Sequence, residues 1–576
     1  MSVENSLEIK LRIQKKSVYV MLLLAFVNWV SHYFYFRRFG LYEDDFPNIG
    51  FFLGKGFDYF LTRLSSYLTH WIQGHPLAFM PAMFTNIADF MGGFHALYLI
   101  AFVIVTVNSF LMYKILKILF PESELFAIVG ALAFALFPPD TTKNMLLHVY
   151  VLQMSLMFLL IASLFYLKGW RRISYLIITL SILSYESPFM VFFGVPLLQG
   201  RFDKEFRKEY LKHIVVMLLI TAAVLMIRKF TGESRVLSAA GDPFGVVYKI
   251  FIALLYGPIV NIYLFVRAPF AAIDEWIPFP YYEWYHFFLL YAAISLAVFY
   301  FIFSKLKNEN SLFCIGGGRI HYNDDTYSYF KKIASISLPA AILISISYAS
   351  SFTHFPPDAV AGRKTSVHLA ATFGGSILFA CITCSLIYVL GVFKLRKLGT
   401  FLLSLYLTLL VLYRSIIQVE FVRCQDYQDR FWTSIVDLCP DMSDGTIIIA
   451  NLKTNASGTK YVWAHGWSDH QMLNHLFAFP AEWKRPPSVH VHFGDLSKAF
   501  ILEKDKVNLK SAFGREAELK TEVPDSNLII IKYDNATGFQ RIDTSIAVGN
   551  RTISTKRKPD YVFDFKKQSL YHVLIE

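Results

Sequence analysis

Long apolar runs recur along most of this chain, too long for strands and too evenly apolar for one-sided surface helices. The first, Ser17 to Phe36, is long enough to cross the hydrocarbon core of a bilayer. Others begin near Phe94 and then cover Leu125–Phe137, Leu146–Leu167, His213–Met226, Tyr285–Phe303, Ile333–Tyr348, Val367–Val392 and Phe401–Ile417. Between them, Tyr175–Ser184 and Pro188–Leu198 form a tight, short hairpin with Tyr185-Glu186-Ser187 at its tip. The stretch Phe244–Phe265 is as apolar as the rest. Taken as a full crossing, it would put Lys305 and Lys307 on the wrong side of the membrane. It therefore reads as a re-entrant or interfacial helix bent at Gly257-Pro258. The pattern predicts an α-helical polytopic membrane protein of about eleven spans.

Beyond residue 420 the pattern changes. Short runs at Thr446–Ala450, Ser488–Phe493 and Asn527–Tyr533 read as strands, separated by helical and loop stretches. The expected division is a transmembrane domain over 1–419 and a small α/β domain over 420–576. Basic clusters set the orientation, because Lys and Arg collect in cytoplasmic loops. Lys10, Arg12, Lys15 and Lys16 precede the first span, and Lys114, Lys117, Lys168, Arg171 and Arg172 flank later ones. The N-terminus is then cytoplasmic, residues 37–93 form one long outer loop, and the C-terminal domain is extracytoplasmic. The expected location is the inner (plasma) membrane. No small-residue cleavage site follows the first run, so it reads as a membrane helix rather than a signal peptide.

Composition sharpens this picture. Hydrophobic residues make up 55% of the chain and charged residues only 17%, against roughly 25% charged in soluble domains. The net charge of +12 lies mostly in loops between apolar runs and not on one patch, which argues against a nucleic-acid partner. The cysteines have no metal-site spacing. Cys381 and Cys384 read as small packing residues, and Cys424 and Cys439 are the pair available for a disulfide if the C-terminal part is extracytoplasmic.

The most informative polar stretch follows the first span: Gly40-Leu-Tyr-Glu-Asp-Asp-Phe-Pro-Asn. Glu43, Asp44 and Asp45 sit where the chain leaves the bilayer. Adjacent carboxylates near low dielectric raise one another's pKa, which suits a general base. The same oxygens could hold a divalent cation such as Mg or Mn, with Asp44 and Asp45 as ligands. Cations at the outer ends of spans are Arg63, Lys143, His148, Arg228, Lys229, Arg267, Arg363, Lys364 and Arg414. Gly362-Arg363-Lys364-Thr365-Ser366-Val367-His368 is the best placed to take a phosphate, since an arginine fork binds phosphate bidentately. Lys143 and His148 come second, and Arg414 is expected to pair with Glu420. His465, His470 and His475 cluster in the last domain without a recognised zinc spacing.

A first span followed by an outer loop that opens on an acidic pair, then interfacial helices and a second span, resembles the GT-C superfamily of polytopic membrane glycosyltransferases. The likeness covers roughly the first 200 residues well and the remaining spans in outline. Gly74-His75-Pro76-Leu77 matches a loop that often reads Gly-Arg-Pro-Leu in related bacterial sequences, with His75 as a departure. The hairpin bearing Glu186 resembles the helix pairs beneath the GT-C active site. The resemblance implies Asp44 or Asp45 as catalytic base, with Asp45 the first choice. Glu43, Arg63, His75, Lys143, His148, Glu186, Arg363 and Lys364 are the substrate-binding candidates. It also implies a polyprenyl-phosphate sugar donor and a glycan or glycolipid acceptor among membrane lipids. The other two readings are a transporter or flippase of lipid-linked saccharides and an outer-face glycan polymerase or ligase relying on arginines.

Overall fold

The computed structural model describes residues 3–70, 74–231, 242–276, 285–306, 324–350, 357, 359–453 and most of 457–575. Among the described residues, nine helices are long and apolar enough to cross a membrane, which fits a helical multi-pass membrane protein. The main rods are α1 (Val3–Asn28), α2 (Gly56–His70), α3 (Met80–Met91), α4 (Phe94–Leu119), α5 (Glu124–Ala135), α6 (Met154–Leu167) and α7 (Arg171–Ser184). They continue as α8 (Lys204–Phe230), α9 (Pro243–Trp276), α10 (Tyr285–Leu306), α11 (Asp324–Ser347), α12 (Ala371–Val392) and α13 (Arg396–Leu438).

The span count differs from expectation at identifiable places. Helix α5 and the hairpin (α7, then Glu186–Val191 and Phe192–Gln199) are individually too short. The 12 residues of α5 and the 14 of α7 rise only about 18 and 21 Å, against a hydrocarbon core of about 30 Å. Conversely, α9 runs for 34 residues with Gly257-Pro258 and Pro269 inside it, and is long and apolar enough to cross a membrane where the sequence read as re-entrant or interfacial. Gly257 serves another purpose: a Cβ there would lie 2.3 Å from the Tyr348 ring, so its bare backbone lets that ring pack against the helix.

Side-chain hydrogen bonds between helices join the apolar packing in holding the bundle. Asn28 donates to the Ser109 hydroxyl at 3.1 Å, Asn108 to the Gln153 side chain at 3.1 Å, and Ser155 pairs with Ser181 at 2.8 Å. All of these groups are buried. In hydrocarbon surroundings an unmade hydrogen bond is costly, so such pairs fix which helix faces meet.

Helix α13, at 43 residues, is about 65 Å long by its rise per residue and outreaches any bilayer core. It passes straight through residue 420, where the sequence pattern changes, and ends at Leu438. A four-stranded sheet follows, made of β1 (Ile447–Leu452), β2 (Ser488–Phe493), β3 (Leu528–Asp534) and β4 (Gly538–Arg541), in the order β2-β1-β3-β4. The first two pairings are parallel and β3 pairs with β4 antiparallel. The three strand runs expected from the sequence form the parallel part. Arg541 of β4 ties the sheet to the end of α13, donating to the Leu438 carbonyl at 3.1 Å and gripping Asp441. Cys424 and Cys439 are both buried. They lie on one helix and at its cap, about 22 Å apart by helical rise, too far for a disulfide between them.

The C-terminal part sits at the end of the bundle where α1 finishes. Arg38 pairs with Asp426 at 3.0 Å, and Lys55 donates to Gln568 at 2.8 Å. The rings of Phe51 and His475 stack with centroids 3.2 Å apart. The last helix, α14 (Ser569–Leu574), seats buried Leu570 over Gly50 beside Leu41. The acidic loop and the C-terminal part therefore share one side, whatever the number of crossings between them.

Leu570→Ala should loosen this seat at a cost of about 2–5 kcal/mol. Amide hydrogen exchange should then speed up selectively over residues 41–53, with α4 and α6 unchanged. Equal protection of 41–53 in both proteins would show that α14 does not hold the loop.

Candidate functional site

Three connecting stretches converge at this end: residues 39–49 after α1, 136–147 after α5, and 359–370 before α12. Hydrogen bonds pin each to the next. The Tyr42 hydroxyl donates to the Phe421 carbonyl of α13 at 3.0 Å, and Tyr98 donates to the Gly40 carbonyl at 2.5 Å. Gly40 has no room for a side chain, because a Cβ would fall 1.4 Å from Gln425 Oε1. Tyr33 donates to the Lys143 carbonyl at 2.8 Å, and Asn144 to the His32 carbonyl at 2.5 Å. The third stretch joins through Thr141, whose amide donates to Thr365 Oγ1 at 3.0 Å and whose hydroxyl accepts from the Gly362 amide at 2.8 Å. Two π-helical turns, Trp29–Tyr33 and His148–Gln153, flank this convergence. Such turns often occur at functional sites.

The three acids have separate surroundings. Asp45 is fully buried. Its Oδ2 accepts amides from Tyr42 at 3.1 Å and Leu146 at 3.2 Å, and its Oδ1 accepts the Leu147 amide at 2.7 Å. It thus fastens the acidic loop to the 136–147 loop. Burial pushes its carboxyl up to about 7, the three amides pull the other way, and the neighbouring Asp44 adds to the rise. Glu43 is also raised to about 7 by burial, opposed by Arg363. Its backbone lies in the left-handed region at φ 46°, a conformation that costs a non-glycine residue energy and persists only where its surroundings impose it.

Arg363 spans the other two acids. Its Nη1 lies 3.3 Å from Glu43 Oε2 and its Nη2 lies 2.5 Å from Asp44 Oδ2. It stands at the start of a 3-10 turn, Arg363–His368, just after Gly362 in a positive-φ conformation. The Arg363 side chain is 35% exposed and that of Asp44 14%, so the pair faces outward while Asp45 faces in. This arrangement occupies the oxygens at which a divalent cation was one possibility. Three N–H groups point at the oxygens of Asp45 and a guanidinium at that of Asp44, where a cation would need unprotonated donors. Among the described residues no group of three or more His, Cys, Asp or Glu is arranged to hold a metal ion.

The remaining candidates divide into a second cluster and scattered positions. His75 and Glu186 meet, with His75 Nε2 at 3.4 Å from Glu186 Oε2. Arg228 of α8 joins them: it donates to His75 Nδ1 at 3.2 Å and to the Gly74 carbonyl at 3.0 Å, and lies 3.7 Å from Glu186. A guanidinium from another helix thus reaches both His75 and Glu186. Lys143 turns into the bundle and donates to the Ala135 carbonyl at 2.6 Å, capping the end of α5. Burial pushes it down to about 7. His148 is buried at the start of its π turn. Arg63 stays on its own helix, over the Tyr59 ring at 5.4 Å, and Lys364 is exposed beside Arg363. Arg414 is buried and donates to the Phe137 carbonyl. It does not reach Glu420, which pairs instead with Arg423 at 3.0 Å and accepts the Lys460 amide at 2.6 Å.

One feature had no signal in the linear pattern. A cavity of about 480 Å³ lies between α9, α12 and α13, walled by Phe265, Phe270, Phe379, Ile382 and Leu409, with Asn261 and Tyr406 almost its sole polar members. Asn261 donates to the Tyr348 hydroxyl at 3.3 Å, and that hydroxyl lies 2.6 Å from His368, in the same short turn as Arg363. Only residues distant in sequence build this cavity, so no spacing could have announced it.

The raised pKa values of Glu43 and Asp45 have a consequence for stability. Unfolded carboxylates ionise near pH 4, so the folded protein binds these protons more tightly. Their stabilising contribution is complete below about pH 4 and is lost as pH rises through about 7. The melting temperature of wild type relative to Glu43→Gln should therefore fall between pH 5 and 7 in detergent. A difference that stays flat or grows over that window would contradict the assignment.

Comparison with protein-family models, with curated proteins and with solved structures returns no match for this chain.

Proposed function

We propose that this multi-pass protein is a membrane glycosyltransferase of the GT-C type. In this reading it moves a sugar from a polyprenyl-phosphate-linked donor to a hydroxyl of a glycan or glycolipid acceptor at the outer face of the inner membrane. The N-terminus is then cytoplasmic and the C-terminal part extracytoplasmic. The observation that carries the reading is the Arg363 fork over Glu43 and Asp44, at a mouth where three loops meet. A guanidinium for a phosphate and a carboxylate for a hydroxyl proton are what such a transfer requires.

The chemistry follows from charge. Asp44, the more exposed of the two aspartates, takes the proton from the acceptor hydroxyl as its oxygen attacks the anomeric carbon. The bond from that carbon to the donor phosphate oxygen breaks, and the lipid phosphate leaves with its negative charge facing Arg363. A single displacement inverts the anomeric configuration. Asp45 is a positioning group, since its oxygens already accept three amides. The apolar cavity beside α12 suits the hydrocarbon tail of the donor, and the C-terminal part, touching the acidic loop, borders the acceptor side.

The test uses protein reconstituted in vesicles with a radiolabelled polyprenyl-phosphate hexose. Asp44→Asn should retain its melting temperature and lose transfer by about 10²–10⁴-fold, the usual worth of a general base. Full transfer by both Asp44→Asn and Arg363→Ala would rule the mechanism out.

A further inference from the structure

Arg363 is committed in this structure. Its two terminal nitrogens are directed at two carboxylates from a loop some 320 residues away in sequence. The acids are held from behind. Glu43 sits in a left-handed backbone conformation, and Asp45 locks the loop to Leu146 and Leu147. Arg363 is held at its root by Gly362 and Thr365 bonding to Thr141, while its head is one-third exposed. The acids are therefore fixed and the long arginine side chain is the movable partner. One guanidinium cannot present the same Nη fork to two carboxylates and to a phosphate at once.

We propose that Arg363 is exchanged between ligands: an incoming phosphate group takes the fork from Glu43 and Asp44 and thereby releases the Asp44 carboxylate. This rests on the functional reading above and adds an order of events to it. Before the phosphate arrives, the carboxylate lone pair faces Arg363 at 2.5 Å, where an acceptor hydroxyl would otherwise have to approach. After exchange, that oxygen is no longer held by the guanidinium. Arrival of the anion is thus coupled to loss of the guanidinium from the base, so a hydroxyl meets that oxygen without the arginine on it only once phosphate is seated. The coupling is reciprocal: the acids hold the phosphate affinity down, because any ligand must first displace them.

Titration calorimetry on the full-length protein in detergent tests this, with polyprenyl monophosphate in micelles and inorganic phosphate as the two probes. Neutralising the acids (Glu43→Gln with Asp44→Asn) should tighten binding by about ten-fold, which is about 1.4 kcal/mol. Asp44→Asn alone should give part of that gain and serves if the double variant does not fold. In the Arg363→Ala background the same acid substitutions should give no gain, the signature of a direct pairing in a double-mutant cycle. An equal gain with and without Arg363 would mean that the acids repel anions through their field alone, and exchange would be wrong. No gain with Arg363 present would also refute it. Equal binding by wild type and Arg363→Ala would instead remove Arg363 as the phosphate partner and so overturn the functional reading itself. Tightening with the lipid probe alone identifies the lipid-borne phosphate as the ligand, and equal tightening with inorganic phosphate identifies the bare anion.

Discussion

The meeting of loops at the end of the bundle where α1 finishes hangs on one buried carboxylate. Asp45 accepts three backbone amides, one from its own loop and two from the loop after α5. Those amides have no strand or helix partner in their place, and an orphaned buried amide costs about 1–3 kcal/mol. The carboxylate therefore settles where the first loop crosses the second. Once that crossing is set, Glu43 and Asp44 point to the opposite side, and Arg363 can reach both.

The same principle, that a polar group removed from water needs a partner, explains the other buried charges. Lys143 finds the open carbonyls at the end of α5, Arg414 finds the Phe137 carbonyl, and Arg228 finds Gly74, His75 and Glu186. Each connects elements that are distant in the chain. Charges that look alike in a list of cations at span ends thus have different duties. Three serve as internal ties, and Arg363 keeps an accessible head.

The C-terminal part is bound into this arrangement and is no separate appendage. Helix α13 carries the chain out of the bundle without a break, and its Phe421 and Gln425 touch the acidic loop on the way. The loop then meets His475, Gln568 and Leu570 from the far end of the sequence. Residues 40–56 are in this way sandwiched between the bundle and the last helix, which accounts for the extent to which acids so close to a membrane surface are buried.

Local pattern was enough for much of this. Apolar run length picks out the long helices, alternation picks out Ile447–Leu452, Ser488–Phe493 and Leu528–Asp534, and the placement of Glu43-Asp44-Asp45 after the first span singles them out as candidates. Those features are carried by residues adjacent in the chain, so the sequence alone determines them. What it left open was every pairing: which amides Asp45 takes, which carboxylates Arg363 meets, and which ring packs on Gly257. Each of those is decided by a partner from elsewhere in the chain, a Leu147 amide, a Glu43 carboxylate or a Tyr348 ring. Such partners become neighbours only when the helices pack, and that is why tertiary structure alone could assign them.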